Sequence, residues 1–283
     1  MKTYNNVTMS GMLYDFNLEV KEINNKDAIT GTITVQVDPE GTLAELQMFA
    51  RPVFNNGKEN RNYTIMADMI NGDYATVVKE GNGADWISVS GQIDTSYFMP
   101  RGEKDIDNME YSQKLRGSFI NQNNKKEFKN SWSVDMLITD IRQIEADPEK
   151  GLSEYVDVRG YWINDYREMV CDIRLQARKE AAMAYISGLE ASKNNPYYVN
   201  VRGGLQDVSR VVTRRNAFGE DEHETYSSTQ FCITAMDPDP FDFFDDSIMG
   251  QAKYEELKAN LDKHKKEQFE KAQEDSGDNG LTF

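Results

Sequence analysis

Basic residues recur along what reads as extended chain, with aromatic residues close by. Arg174 and Arg178 are four positions apart, so on a strand they project from one face, and Lys179 follows directly. Arg202 and Arg210 come next, then the pair Arg214-Arg215 with Phe218 just behind. The earlier part of the chain offers Arg51, then Tyr97, Phe98 and Arg101, then Lys114 and Arg116. Tyr111, Phe119, Lys125 and Lys126 lie in the same stretch. Guanidinium and ammonium groups neutralise phosphates, and aromatic rings offer a face to unpaired bases. Together they are what holding a single-stranded nucleic acid without sequence preference takes. The plainer reading stands beside it: an arginine on a strand also serves as a solvated face, and Trp86, Trp132 and Trp162 suit a core.

Covalent and metal chemistry lack their usual residues. The two histidines, His223 and His264, fall in an acidic stretch and a charged helical stretch, neither a setting for a nucleophile–histidine pair. Cys171 and Cys232 have no nearby Cys or His partners of the kind zinc requires, and they read as buried thiols rather than a disulfide framework. The acidic runs 219–224 and 237–246 do not have the spacing of a calcium loop, and Gly81-Asn-Gly83 reads as a turn, not a phosphate loop. The expectation is a protein that is not an enzyme and uses no cofactor and no metal.

The 283 residues carry a net charge of −16, unevenly spread. Residues 1–100 hold 7 basic and 13 acidic side chains, residues 101–215 hold 19 and 18, and residues 216–283 hold 6 and 17. The acid is therefore concentrated at the C-terminus, and the central region is close to neutral. No stretch approaches the roughly 20 apolar residues of a membrane span. The first ten residues lack the layout of a secretion signal, so a cytoplasmic protein is expected.

The elements that would position these residues come twice. Glu45-Leu-Gln-Met-Phe-Ala-Arg51 matches Asp172-Ile-Arg-Leu-Gln-Ala-Arg178, and Trp86-Ile-Ser-Val-Ser-Gly-Gln-Ile93 matches Tyr198-Val-Asn-Val-Arg-Gly-Gly-Leu205. Upstream, Met12-Leu13 matches Met136-Leu137, and Gly31 matches Gly160. Matches in the same order argue for duplication. Residues 29–37, 43–53 and 171–177 alternate as half-buried strands do. Residues 63–70 and 180–190 carry helical spacing, and strands return at 86–93 and 198–205. Three strands, a short helix and further strands, twice over, is the order of two five-stranded OB-fold-like barrels in tandem. Each has its helix between the third and fourth strands.

The expected organisation is a first barrel in 1–130, a second in 131–236, and an acidic linker, helix and flexible tail in 237–283. Residues 131–144 resemble the start of the first half and also sit where the first barrel needs its closing strand. One long strand serves both barrels, or one strand ends and another begins within the segment, and the pattern does not decide between these. Residues 100–130 read as a long polar loop between the fourth and fifth strands, with 213–225 as its counterpart, a position where OB-folds clasp nucleic acid. Residues 251–271 read as a helix with a thin stripe of Tyr254, Leu257 and Leu261.

With its duplicated strand motifs and a tail containing Glu274, Asp275, Asp278 and a terminal Phe283, the chain resembles the single-stranded DNA-binding proteins of bacteria and bacteriophages. The resemblance implies single-stranded DNA as partner and a role in replication or recombination, in the host cytoplasm if the gene is a phage's. It also implies a tail that shields the DNA site or recruits replication or recombination proteins. The competing readings are a β-rich structural or interaction protein of a virion, and an inhibitor that mimics nucleic acid with residues 237–246.

Overall fold

In the third strand, Ala44, Leu46, Met48 and Ala50 are buried, while Glu45, Gln47 and Phe49 between them point outward. This period of two repeats along most of the strands, so that when the strands tilt and close into rings their apolar faces lie inside. The computed structural model describes residues 3–215, 218, 221–241 and 249–277. The first ring consists of β1 (Asn5–Glu22), β2 (Asp27–Gln36), β3 (Leu43–Ala50), β4 (Trp86–Phe98) and β5 (Glu110–Gln122). Helix α1 (Arg61–Asn71) and the single turn α2 (Val77–Glu80) lie between β3 and β4. The second ring repeats this with β6 (Lys129–Ile144), β7 (Tyr155–Asn164), β8 (Met169–Ala177), α3 (Glu180–Ser187), β9 (Tyr197–Arg215) and β10 (Asp221–Met236). Helix α4 (Gln251–Gly277) follows.

The ring order is β1-β2-β3-β5-β4 and back to β1, then β6-β7-β8-β10-β9 and back to β6. The rings are fused: Asn5 to Ser10 of β1 pair antiparallel with Val134 to Lys129 of β6. Buried apolar residues of both rings belong to one continuous core. The expected tandem OB-fold-like architecture, with a helix between third and fourth strands, is the one observed.

The ladders show the repeat more sharply than residue matching does. The β4–β5 ladder skips Ser118 opposite Ser90 and Gly91, and the β9–β10 ladder skips Thr234 opposite Arg202 and Gly203. The β1–β2 ladder skips Tyr14, and β6–β7 skips Thr139. Each ring closes with a parallel contact, Gln47 to Arg116 in one and Gln176 to Cys232 in the other. Asparagine stands in for backbone at the same place in both. Asn5 donates to Ile93 O and accepts from Ile93 N–H, both at 2.9 Å, and Asn130 does the same to Leu205 at 2.8 and 2.7 Å. Gly91 and Gly203 are equivalent for a steric reason: a Cβ there would lie 1.9 Å from Arg116 O and 2.0 Å from Cys232 O.

This register corrects three of the residue matches. Met12 corresponds to Leu137, not Met136, and Gly160 corresponds to Val35, not Gly31. Gln47 corresponds to Gln176 rather than Arg174, a slip of two residues. Because a strand's faces alternate with period two, a slip of two leaves inward and outward positions unchanged.

The loops differ from expectation. Residues 100–130 are not one long loop, since the 13 residues of β5 run through the middle of that stretch. Its inward positions are Leu115, Gly117 and Ile120, interrupted by the bulge at Ser118, so the alternation is masked. Gly117 is small because Met48 packs against it: a Cβ there would lie 2.2 Å from the Met48 sulfur. Asn62 of α1 holds the bulge, donating to Ser118 O at 2.7 Å and accepting from Ile120 N–H at 3.1 Å. The strand at residues 131–144 belongs to the second ring and also pairs with β1, while the first ring closes on its own β5. Residues 213–225 are largely strand as well, so β9 and β10 form a long hairpin arm paired from Arg215–Asp221 inward.

Candidate nucleic-acid interface

On β7 the outward positions include Tyr155, Asp157 and Arg159, and on β8 Asp172, Arg174 and Gln176, with Arg178 just past the strand end. OB-folds bind ligands on this face of their second and third strands. The Asp157 carboxylate is fully buried and accepts from Arg159 Nε at 2.7 Å and from Arg174 Nε at 2.5 Å. Arg178 donates from Nε to Gln176 Oε1 at 2.8 Å, and its guanidinium lies 4.6 Å from the Tyr155 ring centre. Gln176 in turn donates to Gln230 Oε1 of β10 at 3.1 Å. The face is thus a fixed lattice of guanidinium and amide groups.

The other half of that face is covered. Helix α4 buries Tyr254, Leu257 and Leu261, the stripe expected from the sequence, with the Tyr254 ring tilted against that of Tyr161 of β7, centres 6.5 Å apart. Lys265 pairs with Asp172 at 3.0 Å, and Asn260 donates to Glu168 O at 2.7 Å. What remains open of β7–β8 faces the first ring.

Between the rings lies a cleft of about 580 Å³ lined by Tyr111, Gln113, Arg159, Arg174, Gln230 and Phe231. A second cleft of about 350 Å³ shares Gln113, Thr229 and Phe231 with it and continues past Lys114 to Gln47 and Leu43 on β3. The two make one groove from the β7–β8 face of the second ring to the β3–β5 face of the first. Its polar walls are cationic at Arg159, Arg174 and Lys114, with Glu45 and Glu110 as the acids on its lining. Tyr111 and Phe231 supply aromatic surface, and burial first, then Asp172, pushes the Tyr111 phenol up, so it stays neutral.

The structure gathers some expected residues here and sends others elsewhere. Lys114, Arg174 and Arg178 are at the groove or on the strand face that forms it, and Arg116 stands beside Lys114, 3.8 Å from Asp94. Tyr97 is buried: its hydroxyl accepts from Asp172 N–H at 2.9 Å and Lys265 sits 4.9 Å over its ring, so no face is open to a base. Phe98 ends β4 partly exposed, and Arg101 is exposed in the following turn. Arg51 lies at the far end of the first ring, 5.8 Å from the Phe49 ring, in a pocket of about 480 Å³ with Lys26 and Phe54.

Lys179 is exposed just before α3. Arg202 pairs with Asp237 and lines a separate cleft with Tyr4 and Lys129. Arg210, Arg214 and Arg215 lie on the hairpin arm, opposite Tyr226, Glu222 and Asp221, with Phe218 exposed at its tip. Glu274 and Asp275 fall in the last turns of α4, which runs beyond the expected helix, while Asp278 and Phe283 lie outside the described residues.

Sequence reasoning missed Arg159, Gln113 and Phe231. Arg159 is readable only from the ladder, which sets it directly opposite Arg174. The thiols offer no reactive nucleophile: burial pushes Cys171 up to about 12 and Cys232 up to about 11. Among the described residues no His, Cys, Asp and Glu cluster forms a metal site, and no helix is long and apolar enough to cross a membrane.

No family model matches the chain, and no curated protein matches it in sequence. Among solved structures, its fold is similar to that of a deletion variant of the single-stranded DNA binding protein from Thermus aquaticus. The two share 15% identity at a TM-score of 0.50, over 86% of this chain and 97% of that one. The wild-type form of that protein gives 14% identity and a TM-score of 0.48, over 86% and 96%.

Proposed function

We propose that this chain binds single-stranded DNA along the groove between its two rings, without sequence preference. The observation that carries this is the groove itself. It joins the ligand face of one OB-fold-like ring to that of the other, with Arg159, Arg174 and Lys114 for phosphates and Tyr111 and Phe231 for bases. The similar fold from Thermus aquaticus belongs to a protein named for single-stranded DNA binding, which supports the reading. Strand recognition through backbone charge and stacking needs no base code, so a protein of this kind covers exposed single strands in replication or recombination. On the same reading Glu274, Asp275, Asp278 and Phe283 compete with DNA for the cations or dock a replication or recombination protein.

Fluorescence anisotropy with a labelled oligo-dT strand tests this. The expected result is saturable binding that weakens steeply with salt and is displaced by unlabelled single strands but poorly by duplex. Equal competition by duplex, or no binding at low salt, would defeat the proposal.

A further inference from the structure

Arg159 and Arg174 face each other directly across the β7–β8 ladder, where like charges repel. What makes the arrangement stable is Asp157, wholly buried beneath them, whose two oxygens each accept one Nε–H. Both arginines remain half-exposed and line the cleft. Their Nε atoms are committed downward, which leaves their terminal nitrogens as the donors for a ligand. Arg174 is further fixed through its backbone N–H, which donates to Gln113 Oε1 of the first ring at 2.9 Å.

We infer that Asp157, Arg159 and Arg174 form a preorganised phosphodiester clamp, in which Asp157 is a positioning residue that never touches the strand. This rests on the single-stranded DNA reading above and deepens it. A buried carboxylate bound to two guanidiniums removes one unit of positive charge from the site, so a site built on charge alone would do better without it. Its value lies in holding two long side chains that would otherwise lose rotamer freedom on binding. The clamp keeps a net positive charge and presents its donors in planar, fork-like geometry, suited to phosphate oxygens.

The sign of one substitution decides the matter. Asp157→Asn adds a positive charge at almost unchanged volume. If only charge counted, affinity for oligo-dT would rise and the salt slope would steepen. The clamp predicts the reverse: affinity falls on the order of fivefold to tenfold, and the slope becomes shallower by about 0.7 for each phosphate no longer neutralised.

Glu19→Gln is the control. Glu19 pairs with the exposed Lys21 at 2.5 Å on β1, opposite Thr30 of β2, so it makes the same change in charge away from the clamp, and no loss of affinity is expected. Arg159→Lys and Arg174→Lys keep the charge and remove the fork, and each should weaken binding severalfold with a shallower slope. They settle the question should Asp157→Asn fail to fold. Binding by Asp157→Asn that equals or exceeds that of the unmodified protein, or lysine variants that bind unchanged, would overturn the clamp. Failure of the unmodified protein to bind oligo-dT would instead remove the DNA reading itself.

Discussion

Replacing Lys114, Arg116 and Arg178 together with glutamine probes the groove without unseating a buried charge. None of the three pairs with a buried carboxylate: Arg116 lies 3.8 Å from the partly exposed Asp94, and Arg178 rests on Gln176 and Tyr155. The fold should therefore survive, with a melting temperature within a few degrees of the original. If each cation neutralises one phosphate, the slope of log affinity against log salt falls by about 0.7 per residue, roughly 2 in all. Between 50 and 200 mM salt this amounts to a loss of affinity about 20-fold smaller than in the unmodified protein. The assay is a set of anisotropy titrations with oligo-dT at four salt concentrations. Arg202→Gln serves as the comparison, since Arg202 pairs with Asp237 in a different cleft and should leave the slope unchanged. A triple variant with an unaltered slope, or an Arg202 variant with the larger effect, would refute the placement of the strand.

Three further outcomes are expected. Asn130→Ala and Asn5→Ala each leave a strand N–H and C=O without partners and should cost about 1–3 kcal/mol, measured by urea unfolding. A cost near zero in both would show that the repeated asparagines are incidental. Stability should fall at alkaline pH, because Cys171 is raised from 9.0 to about 12 and Tyr161 from 10.0 to about 12, chiefly by burial. Folding favours their neutral forms, so this contribution is whole below about pH 9 and is lost as pH climbs toward 12. Melting temperatures that do not drop between pH 7 and pH 10.5 would contradict it. Deleting residues 274–283 should tighten oligo-dT binding at low salt and matter little at high salt; identical binding at low salt would end the shielding role.

Much of the fold was legible because alternation is strong where apolar residues fill every inward position, as at Ala44, Leu46, Met48 and Ala50. The thin stripe of Tyr254, Leu257 and Leu261 likewise marked a helix, but not that it docks or on what. Strand β5 escaped because Gly117 and the bulge at Ser118 break its pattern, and the reason for that glycine, Met48, is distant in sequence. The asparagine repeat escaped because matching followed apolar positions, whereas Asn5 and Asn130 act through backbone groups far along the chain.

The candidate site was less legible than the fold, since a cation's role depends on its neighbours across a ladder. Arg174 was visible from its spacing, but its partners Asp157 and Arg159 are set by the register of β7 against β8. Tyr97 looked like a stacking platform next to Phe98, yet α4 and β8 close over it.

A single strand running through the groove between the rings would bring its bases against the aromatic lining, and photocrosslinking reads that contact. An oligonucleotide carrying 5-iodouracil, irradiated in complex with the protein, leaves adducts on aromatic residues in contact with its bases. Mass spectrometry of the digest should find them at Tyr111 and Phe231. Adducts confined to Tyr166 or Tyr4, both exposed and outside the groove, would place the strand elsewhere and contradict it.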